Sequence, residues 1–554
     1  MPIVQKGLQK ESKLIKRFLG IHPIINFFIE QLNVNQIISS CIKQDDRLTL
    51  SLDQSLVILI HNILTSPMPM YEISDWSKNL DEGSVGLGEN ESEIINDDRI
   101  GRALATFYNG KHKDVFFRLA LRAIKVHKLN CDYIHQDTTS ITLTGKYPSQ
   151  EAYEKITFGK NKDHRPDLKQ LVLGLSVTAD GAVPLVHKVY SGNQTDDTLH
   201  IENHRKLVKL LQRTDFIYVA DSKLATESNL DAINTCNGKF ISIMPRTWAE
   251  DKEFKLLVHQ GSVRWKHILS KKKKNYIPGK KFDKYYLANG SYKAKSKYKL
   301  IWIKSSQKAE QDIETRERRI QKCIGEINIL STKLNKRKLK TRADIKNNLK
   351  GIFKKNKCSE LFNFKITSTR IYSKHKNILN GEWVQWKNIF TIAFGLNEQS
   401  IDKESKTDGI FPLITNLPEE KKAKELLEIY KFQAFLETRN NQLKEWQMVS
   451  PALLKNPKRI VAYLHMHVIA LMVAALVERK LRQGMKNAKI KSLPIYPEER
   501  DCISPTFYDL CRLFRGVEKY EVVEKENITY FPAILNPTQK KVLELLEVSI
   551  SLYQ

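Results

Sequence analysis

Asp137 interrupts the strand-forming run YIHQDTTSI, and Asp221 ends the apolar run FIYVAD. Aspartate is depleted in strands, so an acidic residue in each of these runs asks for a reason. Carboxylates brought to one end of a sheet can hold a hard divalent cation, whereas a single strand-end aspartate can equally be a turn or capping residue. A third acid, Glu437, lies in YKFQAFLETRNNQLK with Tyr430, Gln433 and Lys444. On an uninterrupted helix turning about 100° per residue, Tyr430, Gln433, Glu437 and Lys444 fall at roughly 0°, 300°, 340° and 320°, one stripe about 60° wide. A glutamate and a lysine on that stripe can face a cation and a phosphate together. The same spacing also describes any solvated helix face. Arg439 falls at about 180°, on the opposite side.

These residues need elements to position them. Residues 1–130 read as a mostly helical N-terminal domain suited to DNA contact, or equally to packing against the next domain: LDQSLVILIHNIL (52–64) and DRIGRALATFYNGKHKDVFFRLALRAIKVH (98–127) place apolar residues three and four apart, with Asp97 and Asp98 as a helix start. From 131 the texture turns to β. YIHQDTTSITLTG (133–145) is followed by two β-rich runs around Ala179-Asp180-Gly181-Ala182, a helix over 199–213, the strand FIYVAD and the strand KFISIMP (239–245). The expected fold is α/β: a mixed sheet flanked by helices, its first part at 131–249 and its second at 409–490. Between them, 250–408 reads as a basic insertion domain. It contains KKKK at 271–274, strands at 297–305 and 386–396, and a polar helical hairpin over about 308–348. A second helix follows the signature segment at 457–482, apolar enough to be a core helix, and 491–554 is left as a C-terminal tail region. No internal repeat is apparent.

The 554-residue chain carries a formal charge of +29 and 41% apolar residues, with a pI near 9.5. It can build real cores, and its excess of Lys and Arg suits a polyanion whose neutralisation releases counterions. A lysine-rich genome would inflate the same number. The longest apolar run, Val468–Val477, falls short of the roughly 20 residues of a membrane span. MPIVQKGLQK lacks the apolar core of a secretory signal. The seven cysteines show no CxxC pair or zinc-finger spacing; Cys131, Cys236 and Cys323 read as small core or surface residues. The composition describes a soluble, reduced, intracellular protein with no membrane partner.

Several stretches, in order along the chain, resemble the insertion-sequence DDE transposases with an RNase H-like catalytic domain, in the group marked by Tyr-x2-Arg-x3-Glu-x6-Lys. They are DDRIGRAL, HQDTTS, FGKNKDHRPDLKQLVLGLSVTADGAVPL, SGNQTDD, VADSKLATESNL, IMPRT, the helix with Tyr430, Gln433, Glu437 and Lys444, and KNPKRIVAYLHMHVIALMVAALVERKLR. The resemblance covers most of 90–250 and 409–482. It departs at Gln433, where the group has arginine; glutamine can hydrogen-bond a phosphate but brings no charge.

The resemblance implies metal-dependent cleavage at transposon ends and strand transfer into target DNA. Asp137, Asp221 and Glu437 would be the catalytic metal ligands, with Asp137 bridging two Mg²⁺ ions that Mn²⁺ can replace. It also implies double-stranded DNA as partner (terminal inverted repeats and target), a homodimer in the synaptic complex, and a bacterial cytoplasmic, nucleoid-associated location. Tyr430, Gln433, Lys444, Arg165 and Lys169 are then the expected DNA contacts, with His135 and Lys169 beside the site. Five of the seven tryptophans gather in and around the insertion: Trp248, Trp265, Trp302, Trp383 and Trp386. Trp302, Trp383 and Trp386 are candidates to stack an extruded base, against the plainer reading that they fill the insertion's own core. Two other functions compete: a catalytically silent transposase-derived DNA-binding protein, and an RNase H-like nuclease that cuts without joining.

Overall fold

The computed structural model describes residues 12–43, 49–66, 68–147, 152–163, 165–194, 199–272, 282–336, 339–377, 381–418, 420–446, 454–524 and 527–554. The N-terminal MPIVQKGLQK, His164, the last three residues of SGNQTDD, and Lys273 and Lys274 of the lysine run lie outside them. The chain divides into two compact units, Met1–Ser242 with Leu426–Gln554, and Ile243–Glu425.

The first unit opens with strand β1 (Ser12–Phe18) and helices α1 (His22–Gln31), α2 (Val34–Cys41), α3 (Leu52–Thr65), α4 (Ile73–Ser77), α5 (Asp97–Asn109) and α6 (His112–His127). The amphipathic run at 98–127, continuous in sequence, is two helices. It breaks at Gly110, where a Cβ would come within 2.9 Å of Ile42 Cγ2. The cap of α5 is Asn96, which accepts from the Arg99 N–H; Asp97 and Asp98 occupy the first turn, complementing the helix dipole.

The central sheet follows as β2 (Tyr133–Leu143), β3 (Lys169–Thr178), β4 (Pro184–Ser191), helix α7 (His200–Leu211), β5 (Ile217–Val219), helix α8 (Glu227–Thr235) and β6 (Lys239–Ile243). Its order is β4-β3-β2-β5-β6. The β2–β3 and β3–β4 pairs are antiparallel, and the β2–β5 and β5–β6 pairs are parallel. The parallel strands are the ones linked through helices, as a crossover demands. Nearly all of β3 is buried, as expected of a strand covered on both faces.

The second unit runs through α9 (Ala249–His259), β7 (Trp265–Lys272), β8 (Phe282–Ala288), β9 (Tyr292–Lys293), β10 (Lys299–Ser305), α10 (Ser306–Thr332), α11 (Arg342–Lys355), β11 (Phe362–Asn377), β12 (Gly381–Leu396), α12 (Glu398–Ser405) and β13 (Ile410–Thr415). Strand β10 pairs antiparallel with β13, β8 and β9, while β11 and β12 form a ribbon of their own. The polar hairpin of α10 and α11 has one apolar side. Ile320, Cys323, Ile327, Ile345, Leu349 and Phe353 pack with Phe362, Ile366 and Phe390 at the base of the ribbon.

The chain then gives α13 (Ala423–Lys431), α14 (Gln433–Asn441), a π-helical turn at Gln442–Trp446, α15 (Pro457–Asn487), α16 (Phe507–Leu513), β14 (Glu518–Glu524), β15 (Asn527–Phe531) and α17 (Pro537–Leu546). Among the described residues α15 is the one helix long and apolar enough to cross a membrane, but 94% of its apolar window is buried inside the protein. It is a core helix. The ends of the chain differ from the sequence expectation: β14 pairs antiparallel with β1, and β15 with β14. The N-terminal region is therefore not wholly helical, and the C-terminal region supplies its strand partners.

Candidate functional site

Strand pairing brings the two aspartates near one another. In the parallel β2–β5 pair Tyr133 faces Ile217, Ile134 faces Tyr218 and His135 faces Val219. The paired ladder ends at His135 and Val219; Asp137 lies two residues further along β2, and Asp221 two residues past the end of β5. The two carboxylates are close enough for the charge of Asp221 to act on Asp137. Asp221 lies just past β5, where its backbone oxygen accepts from Ser242 Oγ at 2.6 Å and its Oδ1 from the Lys223 N–H at 3.0 Å.

Glu437 comes from α14, which lies along β2. Gln433 accepts at Oε1 from His135 Nδ1 (3.0 Å) and donates through Nε2 to the Gln136 carbonyl (3.0 Å). Asn440 donates through Nδ2 to Asp137 Oδ2 at 3.0 Å. Gln433, Glu437 and Asn440 stand at i, i+4 and i+7, one face of the helix, so Glu437 is held between two contacts to β2. It remains exposed. The other side of α14 is fixed by Arg439, which donates to the Gly181 and Ala182 carbonyls and pairs with buried Glu478 of α15 at 2.9 Å.

The electrostatics match this crowding of acids. Burial, with the charge of Asp221 adding and Lys162 opposing, pushes the Asp137 carboxyl up to about 6. The Tyr430 phenol is pushed far above its ordinary value by burial and then by Asp221, Glu437 and Asp137. It stays a hydroxyl donor. Burial pushes the His135 imidazole down to about 4, against the hydrogen bond it donates to Gln433, so His135 is neutral. Among the described residues no three His, Cys, Asp or Glu side chains form a ready ligand cluster. The three acids act on Tyr430 together but are not drawn into one shell. Their oxygen-only donors suit a hard cation such as Mg²⁺.

Three participants carried no signal in the sequence. Lys162 Nζ lies 3.5 Å from Asp137 Oδ1 and donates to the Thr138 carbonyl and hydroxyl at 2.6 and 2.7 Å. Asp163 accepts from Lys444 Nζ at 2.7 and 2.9 Å. Asn440 is the third. A lysine and an aspartate in a loop, or an asparagine on a helix, have no periodicity that points to a site; the first two lie in FGKNKDHRPDLK, a stretch singled out only by resemblance.

Several expected contacts are placed elsewhere. The helix carrying Tyr430, Gln433, Glu437 and Lys444 is not continuous: it breaks at Phe432 and loosens into the π turn, so a uniform 100° step does not apply across it. Gln433 is turned inward and buried, bonded to His135 and Gln136, rather than offered to a phosphate. Lys169 pairs with Leu143 while Asp137 pairs with Leu175. Six residues of strand, roughly 20 Å, separate that end of the ladder from the acids. Its Nζ donates to the Lys146 carbonyl at 2.6 Å. Arg165 is exposed and paired with Asp167 at 2.8 Å. Trp302 is 2% exposed and stacked on Phe254 with ring centroids 3.9 Å apart, so it is a core residue unable to receive a base. Trp383 and Trp386 are exposed on the ribbon. All seven cysteines are free.

A family described as "Domain of unknown function (DUF4277)" matches residues 15–121. No curated protein matches the chain. Among solved structures, the chain is similar to one titled as a piggyBac transposase synaptic complex with hairpin DNA, at 7% identity and a TM-score of 0.39, covering 88% of this chain and 79% of that one. It is also similar to a Mos1 transposase paired-end complex with the left transposon end, at 11% identity and a TM-score of 0.15, covering 37% of this chain and 64% of that one.

Proposed function

We propose that this chain is a DNA transposase of the DDE type, with the sheet of the first unit as its RNase H-like catalytic core. The observation that supports this reading is the parallel pairing of β2 with β5, which brings the strand carrying Asp137 beside the one that leads into Asp221, with α14, which carries Glu437, bonded to β2 through Gln433 and Asn440. Asp137, Asp221 and Glu437 would be the residues that hold divalent ions there. Bound Mg²⁺, or Mn²⁺ in its place, supplies an activated nucleophile and charge neutralisation on the leaving oxygen.

The chain's own residues do the rest. Lys444, which pairs with Asp163, would present a positive charge to a phosphate once DNA competes for that pair. Tyr430 offers a hydroxyl donor and cannot serve as an anionic nucleophile. Lys162, 3.5 Å from Asp137 Oδ1, offsets part of the charge of that carboxylate. Water attack on a phosphodiester at the element's end breaks the bond to the 3′-oxygen, which leaves as a 3′-hydroxyl. That hydroxyl then attacks a target phosphodiester at the same centre, exchanging one P–O bond for another. Synapsis of two ends calls for at least two copies of the chain, and the work would be done in the bacterial cytoplasm at the nucleoid.

The test is a gel assay with purified protein, Mg²⁺ or Mn²⁺, and labelled DNA carrying the element's own ends. Wild type is expected to nick and join; Asp137→Asn, Asp221→Asn and Glu437→Gln are expected to bind DNA and do neither. Cleavage without joined product would replace the reading with a nuclease. Specific binding without any cleavage by wild type would replace it with a silent DNA-binding derivative.

A further inference from the structure

We propose that the β11–β12 ribbon is an arm that lies in the major groove of duplex DNA and anchors the protein there. This deepens the function proposed above and rests on its nucleic-acid partner. The ribbon is paired without a slip from Phe362–Leu396 to Asn377–Gly381. Its apolar base ends at Ile366 and Phe390. Beyond that, residues 370–376 and 381–388 are exposed on both faces. From the Ser368–Phe390 pair to the end of the ladder it reaches roughly 30 Å. A two-stranded ribbon with solvent on both faces is marginal alone, so a projection of this length asks for a partner.

The side chains say which partner. Arg370, Lys374, Lys376 and Lys387 stand against a single acid among the described residues of the arm, Glu382, which pairs with Lys376 at 3.0 Å. Alternation puts Arg370, Lys374 and Lys376 on one face and Lys387 on the other, so both walls of a groove would meet positive charge. Aromatic rings are threaded among these cations instead of merging into an apolar patch. The Arg370 guanidinium sits 4.8 Å over the Trp386 ring, and Tyr372 packs on the same ring at 5.3 Å. Trp386 is 54% exposed and Trp383 42%.

Interleaved charge and aromatic surface fits a polyanion with apolar base edges better than an apolar protein face. Two strands fit a groove about 12 Å wide, where phosphates line the walls and thymine methyls the floor. The lysines along the arm also discourage another strand from adding to its edges, which disfavours pairing with a second copy.

Two variants of the full chain test this. In one, residues 370–388 are removed and Thr369 is joined to Ile389 through Asn-Gly, a two-residue turn suited to a cross-strand pair. In the other, Arg370→Gln, Lys374→Gln, Lys376→Gln and Lys387→Gln are combined, with circular dichroism confirming folding. Affinity for a 40-base-pair duplex is measured by anisotropy across a salt series. Both variants are expected to lose on the order of tenfold or more in affinity, and the slope of log K against log salt is expected to fall by about 2 to 4. Equal affinity and slope in all three proteins would overturn the arm while leaving the catalytic reading intact. So would a larger loss on single-stranded DNA than on duplex, or a shift from dimer to monomer with duplex binding unchanged. Wild type that binds no duplex would overturn both. Duplex binding through the arm by a wild type that never cleaves would uphold the arm and sink the catalytic reading.

Discussion

Strand β2 and the β11–β12 ribbon are both long strands in regular register, yet they treat their side chains in opposite ways. Along β2 nearly every residue is buried or half-buried, and its functional stretch is tied from outside by Gln433, Asn440 and Lys162. Along the ribbon beyond Ile366 the side chains are exposed, and the polar ties are local, such as Lys376 to Glu382. If the proposed phosphoryl chemistry is carried out here, a ligand misplaced by about an ångström would end it, and the supporting bonds to β2 would hold Asp137 in place. An arm that follows a surface needs reach and charge, and can leave its side chains free.

The largest effect is expected where that locking serves chemistry. Asp221→Asn should lower single-turnover cleavage by roughly 10³-fold or more while leaving the fold standing, because the acids act as one unit. A loss of less than tenfold would mean that Asp221 is not a ligand.

Next comes the support behind α14. Burial disfavours charge on Glu478, but Arg439 and Arg482 outweigh it and hold the carboxyl below its ordinary value of 4.5. Arg439→Met leaves that charge buried without its main partner and should cost about 3–5 kcal/mol in denaturant unfolding. The sign in pH follows from the lowered carboxyl. Its contribution is fully present above 4.5 and is lost as pH falls through the folded value, so the wild type should weaken in acid. In Arg439→Met this acid-dependent loss should shrink or reverse. Equal acid slopes in the two proteins would show that the pair does not set them.

Gln433 tests the same side more gently. Gln433→Leu strands the Gln136 carbonyl and His135 Nδ1, and should cost about 1–3 kcal/mol. Gln433→Arg restores the residue of the resembled signature. In this fold it would place a guanidinium at a buried position bonded to His135, so a similar destabilisation is expected, and stabilisation would show that the pocket can accept the charge.

These side chains also mark how far the sequence could be read. Asp137 and Asp221 stood out because an acid in an apolar run is anomalous by itself; the run at 133–145 contains β2, while β5 takes only Ile217–Val219 of the run at 216–221 and leaves Asp221 just beyond it. Their proximity is a matter of pairing between distant strands, which no local pattern encodes. Glu437 was readable as part of a helix, but the break at Phe432 and the π turn at Gln442–Trp446 violate the even step on which the stripe rested. Lys162, Asp163 and Asn440 gave no pattern at all. Strand β1, SKLIKRF, lacks clean alternation and becomes a strand through pairing with β14, more than 500 residues later. Trp302 and Trp386 look alike in sequence; only the packing of Phe254 separates a core ring from an exposed one.

A smaller effect with an unusual sign is expected at Asp137. Its ionised form is disfavoured by burial and by Asp221, so the folded state holds its proton more tightly than the unfolded state does. Stability is then lost as pH rises from the ordinary carboxyl range through about 6. With a chelator present at pH 7.5, Asp137→Asn should unfold at higher denaturant, by about 1–2 kcal/mol. A decrease would mean that Lys162 and Asn440 more than compensate the charge.

The smallest effect sharpens the contrast from the other side. Removing residues 370–388 and closing Thr369 to Ile389 takes away Tyr372, Trp383 and Trp386, yet leaves Ile366 and Phe390 in their cluster with α10 and α11. Because exposed side chains contribute little to folding, the shortened protein should unfold within about 0.5 kcal/mol of wild type. Aromatic residues that stabilise nothing in the free protein would then be kept for what they touch outside it. A loss of 2 kcal/mol or more would place the ribbon within the folding core and remove the difference between the two regions, since its rings would then owe their presence to packing.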